Sequence, residues 1–190
     1  GFCLVGSEMC IRDRSNSILR AIARQDDINN LYGKDVFEAS RVDSFLDSGL
    51  VFSREHQEYL FGLNDMNEAL HQRMKSAYEF FLNGIEESLK NSKFIGFDHL
   101  TIVDISFFCD FSQFLREGHY VDDLKEKGFN LISENFVTDY PKTFDHLMNL
   151  SEVKEFSSVI GTYLDWYKRK LQDSNSVSYT HLRAHETEAY

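Results

Sequence analysis

A single proline interrupts the 190 residues, and no apolar run approaches the ~18 residues that a membrane-spanning helix needs. The scarcity of proline leaves long helices unbroken. Val, Ile and Thr do not gather in alternating runs, which argues against a sheet. Basic residues are in short supply, 20 against 31 acidic ones, for a net charge of −11 spread along the chain. That balance argues against nucleic acid or an anionic membrane as partner. What is abundant is apolar and aromatic mass. With 42% hydrophobic and 14% aromatic residues, 17 of them Phe, the chain can fill a proper core, and wholesale disorder is excluded.

The two ends read differently from the middle. Residues 1–14 (GFCLVGSEMCIRDR) and 177–190 (VSYTHLRAHETEAY) carry no clear 3.6- or 2-residue apolar period. Both resemble peptides that arise when sequencing-adapter DNA is translated together with a short read, and such segments are set aside in fold reasoning. Phe2-Cys3-Leu4-Val5 is too short for the core of a signal peptide. With the ends excluded, Cys3, Cys10, His181 and His185 lose any claim as metal ligands or disulfide partners, and Cys109 stands alone. The expected layout is 1–14 adapter-like, 15–25 a short helix, 26–34 a linker, 35–176 a helical domain, and 177–190 adapter-like.

Between the ends the apolar spacing is helical. Residues 15–24 place Ile18, Leu19 and Ile22 together, with Ser15 or Asn16 available as cap. Asn29-Asn30 and Gly33 mark a linker. Val42, Phe45, Leu46 and Phe52 line one face of a helix over 35–61, and Gly49 on that face allows close helix approach. Met66, Leu70, Met74, Ala77, Phe81, Ile85 and Leu89 do the same over 65–90. Two such helices joined by a short loop predict an antiparallel bundle. Further helices are expected over 101–115, 121–139 and 151–171, and a short one has Pro141 in its first turn.

Leu100-Thr101-Ile102-Val103-Asp104-Ile105 holds the sharpest local signal. Thr101 can cap a helix while Asp104, three residues on, reaches back to the Thr101 N–H. Leu100 and Ile105 can close over that box as a hydrophobic staple. The role of these residues is structural. Cys109 reads as a small buried hydrophobe. Asp26-Asp27, Glu86-Glu87 and Asp122-Asp123 read as solvated faces, and no calcium, zinc or iron motif occurs, so no metal is expected.

The surroundings of that helix start resemble the C-terminal helical domain of the glutathione transferase family. The approach is Phe94-Ile95-Gly96-Phe97-Asp98-His99-Leu100-Thr101, and Ser15-Asn16-Ser17-Ile18-Leu19-Arg20 looks like the family's run at the last helix of its thioredoxin-like domain. Leu31-Tyr32-Gly33-Lys34-Asp35 and Glu38-Ala39-Ser40-Arg41-Val42-Asp43 resemble the interdomain linker and first long helix. Tyr140-Pro141-Lys142 and Val153-Lys154-Glu155-Phe156 resemble the closing helices. The sequence departs from the pattern at Val103, where Ala is usual, in one extra residue between Gly96 and Thr101, in a long stretch over 118–139, and at Phe144, near where Trp is common.

The resemblance implies an all-α, glutathione transferase C-terminal-like bundle preceded by the last helix of a truncated thioredoxin-like domain. It implies glutathione as co-substrate, no tightly bound cofactor, a cytoplasmic homodimer, and conjugation of glutathione to small hydrophobic electrophiles. The thiol-activating residue of the family lies in the preceding domain, so no catalytic residue is expected in this chain. Ser15 matches the serine that binds the γ-glutamyl carboxylate at a helix start, an anion site by nature. Phe52, His56 and Tyr59 are the candidates for the electrophile pocket, although aromatics at helical spacing equally suit a core. Val51 stands where some members carry an acidic residue of the subunit contact. The alternative is a non-catalytic interaction or dimerisation module of the same fold, since fold does not fix function.

Overall fold

The computed structural model describes residues 15–25, 29–158, 164 and 169, and the regular elements among them are all helical. In chain order they are α1 (Ser15–Ala23), α2 (Val36–Phe61), α3 (Glu68–Leu89), α4 (Ile102–Phe114), α5 (Val121–Glu126), α6 (Phe136–Asp139) and α7 (Pro141–Ser151). Short 3-10 turns follow α2 at Leu63–Asp65 and α4 at Leu115–Tyr120. The all-α expectation is met.

Each long helix starts on a side-chain cap. Asp35 accepts from the N–H groups of Phe37 and Glu38 at the head of α2, and Asn67 accepts from Leu70 at the head of α3. These side chains satisfy donors that have no partner inside the helix. The two helices run antiparallel. Phe52 of α2 stacks on Phe81 of α3 at 4.7 Å, while Arg73 of α3 pairs with Glu55 and Glu58 near the far end of α2. Gly49 lies where a Cβ would stand 3.4 Å from the Phe81 ring, the close approach its position suggests.

α4 is the central helix. Ile102, Val103, Phe107, Phe108, Phe111 and Phe114 are all buried, so it is apolar around most of its circumference, as a helix enclosed by others must be. It runs parallel to α2, with Phe111 6.0 Å from Phe52 and Glu117, just beyond it, bonded to Tyr59. Phe107, Phe111, Phe114, Tyr78 and Phe136 continue the ring-to-ring packing toward α3 and α6. Pairs of this kind add ~0.5–1.5 kcal/mol each beyond the area they bury.

The segment 121–139 is not one helix. Gly128 has φ +81, and the chain leaves helical geometry there to form turns before α6 resumes at Phe136. The polar composition supplied few apolar contacts to hold a long helix. The turns are fixed instead by Glu117, which accepts from the N–H groups of Ile132 and Ser133. The helix expected over 151–171 is also divided: α7 ends at Ser151, and residues 154–158 are helical again. Leu164 is buried, whereas Val159, Ile160, Tyr163 and Tyr167 lie outside the described residues, as do Asp26 and Asp27.

Candidate functional site

The helix start at Thr101 folds as its sequence predicts. The Thr101 hydroxyl accepts from the Val103 N–H at 3.2 Å, and the Asp104 carboxylate accepts from the Thr101 N–H at 2.9 Å, which closes the capping box. Leu100 and Ile105 are both half-buried against the core beside it. Asp104 does more than cap. It is fully buried, and its other oxygen accepts from the Ile95 N–H at 3.0 Å and from His146 Nε2 on α7 at 2.9 Å. Ile102, the first residue of α4, donates its own N–H to the carbonyl of Leu31 in the linker. One carboxylate therefore joins the turn over 94–97, the head of α4 and α7. Gly96, inside that turn, has φ +80, and a Cβ there would meet the Phe45 ring at 2.6 Å.

α1 is fastened to α2 by polar contacts. Asn16, buried, donates its side-chain amide to the Leu46 carbonyl at 3.1 Å. Arg20 donates to Asp43 at 2.6 Å and to Asp47 at 2.7 Å, and Tyr32 donates its hydroxyl to Asp43 at 2.7 Å. Burial pushes the Asp43 carboxyl up, but the hydrogen bonds from Tyr32 and Arg20 and the charges of Arg20 and Arg24 outweigh it, so its pKa is lowered. Ser15 opens α1, exposed, one residue before Asn16 and hence beside the middle of α2.

Of the three aromatic candidates on α2, two are core. Phe52 is packed between Phe81, Phe111 and Phe114, and Tyr59 donates its hydroxyl to the buried Glu117 at 3.0 Å. Their apolar neighbours come from α3 and α4 together, so no side of either ring is left to line a pocket. His56 differs. It is buried, and its Nδ1 lies 3.3 Å from the Phe52 carbonyl, so Nδ1 carries the proton in that contact. It also forms part of the wall of a cleft of about 290 Å³ at the end of the bundle. Gln57, Leu60 and Phe61 complete the α2 side, and Gln113, Arg116 and Tyr120 face them from the end of α4 and the following turn. None of the described residues lining this end cleft is acidic.

A second, polar groove of about 500 Å³ runs between α3 and the turns over 128–135. Its rim carries Glu68, Glu79, Glu134 and Asp139, and His71 crosses it with Nε2 3.0 Å from the Asn130 carbonyl. Glu117, beneath, accepts from Ser133 through both its N–H and its hydroxyl, from Tyr59 and from Ile132. Burial nevertheless pushes the Glu117 carboxyl up, and those hydrogen bonds only partly offset it.

Two acidic residues are not simple surface charges. Glu86, expected on a solvated face, accepts through its carboxylate from the Lys142 and Thr143 N–H groups and from the Thr143 hydroxyl at 2.7 to 3.0 Å, capping α7 from α3. Asp110, which belongs to no sequence motif, lies half-buried on α4, where burial pushes its pKa up to about 6 against a hydrogen bond from Ser53. A carboxylate in a helix otherwise rich in Phe was the available signal for it. Cys109 is half-buried, and burial together with Asp110 pushes its thiol up, which suits an unreactive thiol. Among the described residues no three His, Cys, Asp or Glu side chains converge as a metal site would require. No helix among them is long and apolar enough to cross a membrane. No family model, curated protein or solved structure matches the chain.

Proposed function

We propose that this chain is the C-terminal helical part of a glutathione transferase-like protein. In this reading the whole protein conjugates glutathione, as co-substrate, to small hydrophobic electrophiles. The observation that carries it is the relation of Ser15 to the end cleft. The Asn16–Leu46 hydrogen bond sets Ser15 beside the middle of α2, and the cleft opens at His56–Phe61 on the same helix. At 1.5 Å per residue the separation along the axis is roughly 15 Å. An extended tripeptide spans ~10 Å. A tripeptide whose carboxylate meets Ser15 at the head of α1 would cover only part of that distance, so the electrophile in the cleft would have to extend toward the thiol. The closed capping box at Thr101–Asp104, in a chain that also carries the Ser15–Arg20 and Tyr140–Lys142 runs, supports the same family.

Electrophile contact in this reading passes from Phe52 and Tyr59 to His56, Gln57, Leu60 and Phe61. The homodimer is part of the proposal. Val51 and Phe80, 53% and 67% exposed on the neighbouring helices α2 and α3, are apolar surface available to it. The test is a longer protein bearing the upstream domain that the proposal expects, assayed with an aryl halide and glutathione. Conjugation and retention on immobilised glutathione are the expected results. Absence of both ends the transferase proposal and leaves the interaction module. The 190-residue chain itself is expected to show no conjugation.

A further inference from the structure

His99 lies in the loop that leads from α3 to the head of α4, its side chain 19% exposed. Both ring nitrogens are shielded from solvent, and neither has a hydrogen-bond partner among the described residues. A buried polar group left in that state is destabilising, so a nearby group able to pair with it has consequences. The Glu38 carboxylate, on the first turn of α2, stands 3.8 Å from His99 Nε2. That is within reach of an ion pair but too long for a hydrogen bond.

Other contacts hold the two groups face to face. Glu38 accepts from the Lys34 N–H at 2.7 Å through the oxygen that faces His99, and its own N–H is bonded to the Asp35 cap. His99 lies beside Phe97, with ring centroids 5.9 Å apart, and Phe97 packs edge-on against Phe45 of α2. The pair therefore spans the linker, the head of α2 and the loop before α4. The remaining charged groups around it are Lys34 in the linker, Arg41 on α2, Asp98 in the loop and Asp104 at the head of α4. Arg41 is drawn over the Phe97 ring at 5.0 Å, Asp98 is exposed, and Asp104 is taken up by Ile95, Thr101 and His146. Glu38 is thus the carboxylate placed to receive a proton from His99.

We propose that His99 is a pH-sensitive clasp, which when protonated draws Glu38 into a charged hydrogen bond and ties the loop before α4 to the head of α2. Charge-assisted bonds are shorter and stronger than neutral ones. With His99 neutral, the joint rests on the Phe97 packing and on the Ile102 N–H to Leu31 carbonyl bond. The stability that the clasp supplies is present in acid and is lost as pH rises and the imidazole gives up its proton. The clasp does not depend on the transferase proposal.

The test is a double-mutant cycle in the full 190-residue chain, with His99→Gln, Glu38→Gln and the double variant unfolded in urea at pH 5.5 and pH 8.5. These conditions, about pH 5.5 and 8.5, bracket the ordinary imidazole range and stay above the ordinary carboxylate range. The titration of distant groups such as Asp43 and Asp110 is shared by all four proteins and cancels in the cycle. The expected coupling is a factor of about two to five in the unfolding constant at the lower pH, falling to about one at the higher. Asp98→Asn should leave that coupling in place. Equal coupling at both pH values, none at the lower one, or its loss in the Asp98→Asn background would overturn the proposal. The unmutated protein supplies a second readout that does not depend on the variants folding. A His99 Nε2–H resonance in contact with the Glu38 methylenes should be resolved at the lower pH and vanish at the higher. A His99 ring proton in free exchange with water at the lower pH would rule the clasp out.

Discussion

Asp104 accepts from Ile95, Thr101 and His146, three segments that no local sequence rule connects. Removing it strands buried donors on all three, and breaking a buried charged network of this kind costs ~3–5 kcal/mol. Losing only the Thr101 hydroxyl costs ~1–2 kcal/mol, the usual worth of an N-cap. Urea unfolding of Asp104→Ala and Thr101→Ala should return losses in that order, and equal losses would reduce Asp104 to an ordinary cap. The capping box itself was legible, because it is written within four residues. The bond to His146 was not, since 42 residues separate the partners and only the packing of α7 on α4 brings them together.

Asp110 makes a different kind of residue-scale prediction. Its carboxyl is raised from the ordinary range near 4 to about 6 by burial. A raised acid contributes stability that is fully present below its unfolded pKa and is lost as pH rises through the folded one. Folding should therefore weaken between about pH 4 and pH 6, by at most about 3 kcal/mol at 1.36 kcal/mol per unit. Asp110→Asn, neutral throughout, should lose less stability than the wild type over that interval. An identical pH profile for the two proteins would mean that Asp110 titrates normally.

At the scale of elements, helices with an apolar stripe and a cap within their own sequence were readable: α2, α3 and α4 fall within a few residues of their expected bounds. Elements stabilised from a distance were not. The 121–139 segment breaks at Gly128 and is held by Glu117, a residue outside it. α7 shows the same dependence. Pro141 presets its first turn, but the N–H groups that follow are satisfied by Glu86 from α3. Glu86→Ala should cost ~1.5–3 kcal/mol, the range for hydrogen bonds to a charged group. Amide exchange at Lys142 and Thr143 should quicken relative to Leu147. Exchange left unchanged at both amides would show that the proline alone starts the helix.

The candidate site was only partly legible for the same reason. Periodicity put Phe52, His56 and Tyr59 on one face of α2 but could not tell which part of that face the central helix would cover. α4 lies parallel to α2 and ends near Arg116, so it encloses Phe52 and Tyr59, while Gln57, Leu60 and Phe61, with the buried His56 behind them, wall the cleft.

For the whole molecule, the joint between α1 and the bundle is one that rests largely on charge. Ile18 and Ile22 remain exposed, Asn16 and Ala23 are its buried residues, Leu19 is partly buried against the core, and the ion pairs of Arg20 add to the attachment. Asp43 is the centre of that attachment, receiving Arg20 and Tyr32 together. Its pKa is lowered, so the stability it supplies is complete above its ordinary value and is lost as pH falls through the depressed one. Acid should thus release α1 before it unfolds α2, α3 and α4, whose contacts are chiefly apolar. Arg20→Ala should imitate acid at neutral pH. Amide protection in α1 should collapse while protection of Met74, Leu82 and Phe107 in the bundle stays high. Equal loss of protection in α1 and the bundle would instead make α1 an integral part of one cooperative unit. Because Ser15 stands at the head of α1, the first outcome also sets a condition on the proposed function. Carboxylate binding at Ser15 would weaken in Arg20→Ala, because the helix that carries Ser15 would no longer be held against α2.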